Sequence, residues 1–180
     1  LTGLDTISRT DYVKNLADYR EVLSETAEKS DEDSVFYRTE ELERKTKNDA
    51  ALSGYHSGTQ FSSLMNLNVS HFYQDVGMEG GKNFYCAGGA TPLLSAMLSI
   101  GYVLADNAME EGPLRTLVAQ RGDTYLYENA YVLPLGFMMD EDVAEKWDYA
   151  GGGDIGTQNQ LANLLGSDRL LLTAVESESK

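Results

Sequence analysis

Cysteine is almost absent from this chain. Cys86 is the only one, so no intrachain disulfide can form and no cysteine-rich metal site exists. Basic residues are also scarce: 14 Lys and Arg against 29 Asp and Glu leave a formal net charge of -15. Such a field repels a nucleic-acid backbone or an anionic membrane surface at long range, so no nucleic-acid partner is expected. It opposes a polyanionic partner too, unless a local basic patch or bound cations offset it. No run of about eighteen apolar residues occurs, and no charged-then-apolar signal segment, so the chain as given reads as soluble. Familiar catalytic and ligand-binding signatures are missing as well. His56 and His71 have no H-E-x-x-H around them and read as ordinary polar residues. The glycine run at 151–156 has no following Gly-Lys-Ser/Thr, so it is no phosphate loop. The acidic run at 30–33 lacks the alternating ligands and central glycine of a calcium loop and reads as a solvated turn. The 53–63 segment approaches a nucleophile elbow, but its serine falls one position late for G-x-S-x-G. No metal and no cofactor are expected, and there is no internal repeat.

What is present fits one domain of ordinary size. A chain of 180 residues buries roughly 70% of its unfolded surface and needs no staples. It begins at Leu1 rather than Met, which reads as a piece excised from something larger or as a product of processing. Tyr12, Leu16, Tyr19, Leu23 and Ala27 recur at steps of three and four, predicting an amphipathic helix over 10–29 with Thr10 as its cap. A strand is predicted over 34–39, and residues 40–48 are too charged for core and read as a surface helix or loop. Asn68 is expected to cap a short helix that Gly77 ends. Thr91-Pro92 opens a clearer helix over 92–99, ended by Gly101, and residues 102–105 read as a buried strand.

The most sheet-like part of the sequence lies between 114 and 138. Residues 114–120 are strand-like, and the turn tripeptide Arg121-Gly122-Asp123 separates them from a second strand. That tripeptide also spells a cell-adhesion motif, but turn chemistry already accounts for it. In the second strand Tyr125, Tyr127 and Asn129 share one face, and Leu126, Glu128 and Ala130 share the other. The run 131–139 is apolar with little alternation and reads as a third strand covered on both faces, with Pro134 marking an edge or a bulge. A helix at 140–147, a flexible Gly-rich linker at 151–156, a helix at 157–165 and a last strand at 170–175 complete the chain. The fold class is therefore α/β (mixed α+β), a central mixed and largely antiparallel sheet with helices 10–29, 92–99 and 157–165 packed on it. In domain terms, 1–150 form one α/β domain, 151–156 the linker, and 157–180 a helix and strand packing on the same domain.

Candidate binding residues follow from side-chain chemistry. Arg38, beside the aromatic rings of Phe36 and Tyr37, can hold a carboxylate or phosphate in its fork, against the blander alternative of a salt bridge to an acid. Tyr55, Ser62 and Ser63 belong to a run of small polar residues that either lines a sugar-sized pocket or forms a satisfied loop. Glu128, inside a strand, is either a partly buried functional carboxylate or an acceptor that fixes the sheet. Asn129 follows it. The eleven tyrosines are either sugar-stacking rings or strand residues with one wet end. The other acids cluster in runs such as 31–33 and 140–142, which look like solvated surface and not like the paired carboxylates of glycoside chemistry.

In order along the chain, Phe36-Tyr37-Arg38 follows an acidic helix, and Gly54-Tyr55 leads to Phe61-Ser62-Ser63. Gly101-Tyr102-Val103-Leu104 follows an apolar helix, Tyr127-Glu128-Asn129 precedes Leu133-Pro134-Leu135-Gly136-Phe137, and Gln158-Asn159 opens the late helix. With these words in this order, the chain resembles the soluble extracytoplasmic region of the YfhO family of bacterial multi-pass membrane proteins. The resemblance implies a parent built like the GT-C glycosyltransferases, which moves a sugar from a polyprenyl-phosphate carrier to lipoteichoic acid or a related wall polymer in Gram-positive bacteria. It also implies a location on the extracytoplasmic face of the cell membrane. The implied partners are the membrane-embedded remainder of the same chain, and a wall polymer or polyprenyl-linked sugar. The catalytic carboxylate of such enzymes lies among the first membrane helices, so no residue here receives that role.

Three functions compete on this reading. One is an accessory, acceptor-positioning domain of a membrane glycosyltransferase. Another is a non-catalytic module that binds a glycan or protein through the 55–63 loop and the Tyr125/Tyr127 face. The third, a free-standing enzyme, has no triad, metal set or phosphate loop to support it.

Overall fold

The computed structural model describes residues 7–33, 36–149 and 154–173. The helix expected over 10–29 is two: α1 (Arg9–Tyr12) and α2 (Leu16–Asp33). Ser8 rather than Thr10 caps the first, its Oγ accepting from the Asp11 amide. Asn15 breaks the pair at φ 65°, a left-handed conformation that asparagine tolerates better than most residues. The backbone of α2 continues through the acidic run instead of turning there, carried up to it by Ala27, Glu28 and Lys29, which are good helix formers.

The first strand, β1 (Arg38–Glu41), lies later than expected, and Ser34 and Val35 of the expected strand lie outside the described residues. Next come α3 (Asp49–Ser53), stopped by Gly54 at φ 86°, and β2 (Gln60–Phe61). Helix α4 (Leu67–Asp75) takes Asn66 as its cap, because the Asn66 side chain accepts from the Asn68 amide. Two strands without a clear sequence signal, β3 (Glu79–Gly81) and β4 (Phe84–Cys86), form a hairpin. Thr91 caps α5 (Pro92–Met97) as expected. Gly101 does not end this helix; Ser99 does, at φ 56°, and Gly101 sits inside β5 (Ile100–Ala105). A glycine serves there because a Cβ would come within 3.1 Å of the Tyr37 Cβ. After it come β6 (Arg115–Arg121), β7 (Thr124–Asn129), α6 (Glu141–Lys146) and α7 (Asp154–Leu164).

Two sheets result. The larger has order β1-β5-β7-β6, with β1 parallel to β5 and the other pairs antiparallel, and the smaller is antiparallel with order β2-β4-β3. This is the mixed α+β architecture expected. All six residues of β5 are buried, as suits a central strand covered on both faces. Tyr102 and Leu104 pack with Tyr19 and Val22 of α2, and Val103 and Ala105 pack with Tyr127. A further cluster joins Tyr73, Val76, Met78, Leu94 and Ile100.

The expected three-stranded meander has two strands. The β6–β7 hairpin turns at Gly122, φ 53°, as its Gly-Asp pair predicts. Beyond it, residues 131–139 form no strand, because β7 already has a partner on each edge. The chain leaves the sheet instead: the Ala130 amide donates to Leu114 O and the Leu133 amide to Ala96 O. Leu135, Phe137 and Met138 are exposed where the sequence predicted burial.

At the C-terminal end, α7 starts before the expected 157 and takes Gly156 into the helix, while 151–153 of the expected linker lie outside the described residues. Residues 170–173 join no strand. The Asn159 side chain serves them as a partner, accepting from the Leu171 and Leu172 amides and donating to Leu172 O. The rest of that expected strand, 174–175, lies outside the described residues.

Candidate functional site

The segment 55–60 follows α3 and runs along the outer edge of β1, fixed there by the bond from the Thr39 amide to His56 O (2.8 Å). At the start of β1, Arg38 is held on several sides. Its amide donates to Ser99 O and its Nη1 to Leu98 O, both at 2.6 Å, and its Cζ lies 5.2 Å from the centre of the Phe36 ring. Two clefts share Arg38 and Ser57 in their walls. One, about 420 Å³, is lined by polar groups, among them Tyr55, His56, Thr59 and Gln60. The other, about 470 Å³, is lined largely by rings, those of Phe72, Tyr73 and Tyr85 with Asn68. No Asp or Glu contributes to either wall. Among the described residues Arg38 makes no ion pair, so the salt bridge that its composition suggested is not formed.

Behind this wall lie two carboxylates that the sequence placed on the surface. Glu40 is 3% exposed and Glu41 1%. Glu40 accepts from Arg44 Nη1 at 2.9 Å, Thr59 Oγ1 at 2.7 Å and Ser57 Oγ at 3.1 Å. Burial still holds its carboxyl above the ordinary range, with the Thr59 bond and the Arg44 charge pulling the other way. Glu41 accepts from the Tyr55 hydroxyl at 3.0 Å, and its Oε1 has no hydrogen-bond partner among the described residues. Burial, reinforced by the nearby Asp49 charge, pushes the Glu41 carboxyl up to about 7. The Tyr55 and Tyr19 hydroxyls are pushed up in turn, first by burial, then by the acids they face: Glu41 for Tyr55, and Asp106, 2.7 Å away, for Tyr19. A cavity of about 10 Å³ bordered by Tyr19, Glu41, Lys45 and Asp49 completes this layer, room for about one water. The only hint of it in the sequence is two adjacent acids following an aromatic strand. Their hydrogen-bond partners come from up to 19 residues away and have no fixed spacing.

The sequence profile of one family, described as "Bacterial membrane protein YfhO", matches residues 2–169. The chain belongs to the YfhO family of bacterial membrane proteins. No curated protein and no solved structure matches it. Among the described residues of this YfhO family member, no helix is long and apolar enough to cross a membrane.

Of the seven candidate binding residues, the YfhO fold brings two to one cleft. Arg38 and Tyr55 share the polar wall. Tyr37 is turned into the core, its ring edge-on to Tyr102 at 4.8 Å and its hydroxyl donating to Thr26 O. Ser62 and Ser63 lie in the turn after β2 and line neither cleft; the Ser62 amide donates to Asn83 O, and its hydroxyl accepts from the Leu64 amide. Glu128 accepts from the Tyr102 hydroxyl at 3.3 Å, the sheet-fixing alternative weighed for it. Asn129 ties β7 to its neighbours, donating to Ile100 O and accepting from Arg115 Nε. The Tyr125/Tyr127 face is no open sugar platform, because Tyr127 is buried and its hydroxyl bonds the backbone of Met109. Ser57 and Gln60 reach the clefts from the 55–63 loop weighed above as a pocket wall, whereas sequence reasoning missed Asn68 and Tyr85, which come from α4 and β4.

Proposed function

We propose that this chain is the extracytoplasmic domain of a membrane glycosyltransferase-like protein whose parent transfers sugar from a polyprenyl-phosphate carrier to a wall polymer such as lipoteichoic acid. In this reading the domain positions the acceptor, and the membrane-embedded remainder of the same chain supplies the catalytic carboxylate. The observation that carries it is the double cleft over Arg38, in a member of a bacterial membrane-protein family. Its polar wall offers hydroxyl and amide groups to a polyol and its aromatic wall offers ring faces, the two contacts by which sugars are held. Its chemistry is that of binding. Glycosyl transfer needs a carboxylate that reaches substrate, and Glu40 and Glu41 are closed off behind Ser57, Thr59 and Tyr55.

The test is made in the full-length membrane protein. Arg38→Ala is expected to lower the sugar content of the wall polymer markedly at an unchanged protein level. Full glycosylation by that variant would overturn the acceptor-positioning role.

A further inference from the structure

The geometry points to Arg38 as the anchor of an anion site, holding a phosphate or carboxylate carried on a polyhydroxylated chain that lies across both clefts. In a protein of net charge -15, four described cations pair with acids, Arg44 with Glu40, Lys47 with Glu79, Arg121 with Glu21 and Lys146 with Asp142, while others such as Arg20, Lys45 and Arg115 rest on carbonyl or amide oxygens. Arg38 is half-buried and belongs with the latter. One nitrogen is tied to Leu98 O, which fixes the plane of the fork against Phe36. Nε and Nη2 remain as donors, an arrangement that matches the two oxygens of one anionic group. A guanidinium clamped by a carbonyl and a ring loses little freedom when it binds, so its fork is preorganised.

The surroundings keep other negative charge away. Neither cleft has an acid in its wall, and Glu40, two residues along β1, is engaged by Arg44, Thr59 and Ser57. With the anion at Arg38, the units on either side of it would meet unlike walls. One wall presents Tyr55, His56 and Gln60, the other Phe72, Tyr73 and Tyr85. The site therefore suits a chain whose charge sits between two neutral units.

This inference rests on the cleft assigned to the acceptor, yet it fails separately. The ¹⁵N-labelled chain is titrated at constant ionic strength with inorganic phosphate, glycerol 1-phosphate and glucuronate, with glycerol and glucose as neutral controls. The Arg38 Nε–Hε resonance and the Ser57 and Gly58 amides are expected to shift with the anions and not with the controls. A response to the phosphates alone identifies a phosphate source, and a response to glucuronate alone a carboxylate source. Arg38→Gln is expected to weaken binding about tenfold or more, and Arg38→Lys less. If Arg38→Gln fails to fold, the wild-type Nε–Hε resonance decides alone. No shift with any anion, equal shifts with the neutral controls, or undiminished binding by a folded Arg38→Gln variant would overturn the site. Anion binding together with undisturbed glycosylation by Arg38→Ala would keep this site and remove the acceptor reading.

Discussion

The strand β1 and the segment 131–139 invert what their compositions lead one to expect. Arg-Thr-Glu-Glu has no apolar residue, yet its last three members are buried. Tyr-Val-Leu-Pro-Leu-Gly-Phe-Met-Met has no charged residue, yet it forms no strand, and Met138 is 100% exposed. The difference lies in the available partners. Burial of a carboxylate is tolerated where hydroxyls and a cation satisfy it, and Thr59, Ser57, Arg44 and Tyr55 do so along the outer edge of β1. Burial of an apolar run needs a free sheet edge or an open core face. Since β7 is paired on both sides, that run leaves the sheet, tied by the bond from the Leu133 amide to Ala96 O, and borders an apolar cavity with Leu93, Met97 and Leu161.

The comparison breaks most readily at Glu40. Replacing it with Ala strands Arg44 and two hydroxyls, and urea denaturation is expected to show a loss of about 4 kcal/mol. Glu40→Gln keeps acceptors for the hydroxyls and is expected to cost much less. If Glu40→Ala were nearly neutral, β1 would not be held by its polar partners.

A slightly smaller effect is expected from pH. The folded carboxyl of Glu41 lies at about 7 against an ordinary value of 4.5. Between these values the folded protein binds more protons than the unfolded one, so stability is lost as pH rises from 4.5 through 7, by about 3 kcal/mol. Glu40, also raised, adds to the same slope. Urea midpoints measured from pH 4.5 to 8 should fall, and Glu41→Gln should flatten the decline and stabilise the protein at pH 8. A midpoint that rises across this window would contradict the buried, under-satisfied state of Glu41.

The smallest effect belongs to the apolar segment. Met138→Lys is expected to change stability by less than about 0.5 kcal/mol. A loss of several times that size in the isolated chain would mean that the segment is packed after all.

Much of the fold was legible because its signals are local. The Thr91-Pro92 helix start, the Gly122-Asp123 hairpin and the alternation of β7 each depend on residues within a few positions of one another. The misreadings came where one local preference met two possible contexts. Asn15 splits a periodic helix, Gly101 is a close-approach glycine and not a stop, and the apolar 131–139 run follows a strand, β7, that is already paired on both sides. At the site, Arg38 and Tyr55 were visible as chemistry. Their companions Asn68 and Tyr85 were not, because they reach the clefts from α4 and β4 with no periodic spacing to announce them.

By itself the sequence determined the acidic field, the mixed α+β class, the positions of most helices and strands and membership in the YfhO family, since each is written in composition, short-range periodicity or ordered words. Only the tertiary structure decided which charges are buried and which cations meet an acid. Whether a carboxylate can leave water depends on donors brought from distant segments. The pairing of β1 with β5 and the 55–60 loop gathers those donors around Glu40 and Glu41 and leaves Arg38 facing open clefts.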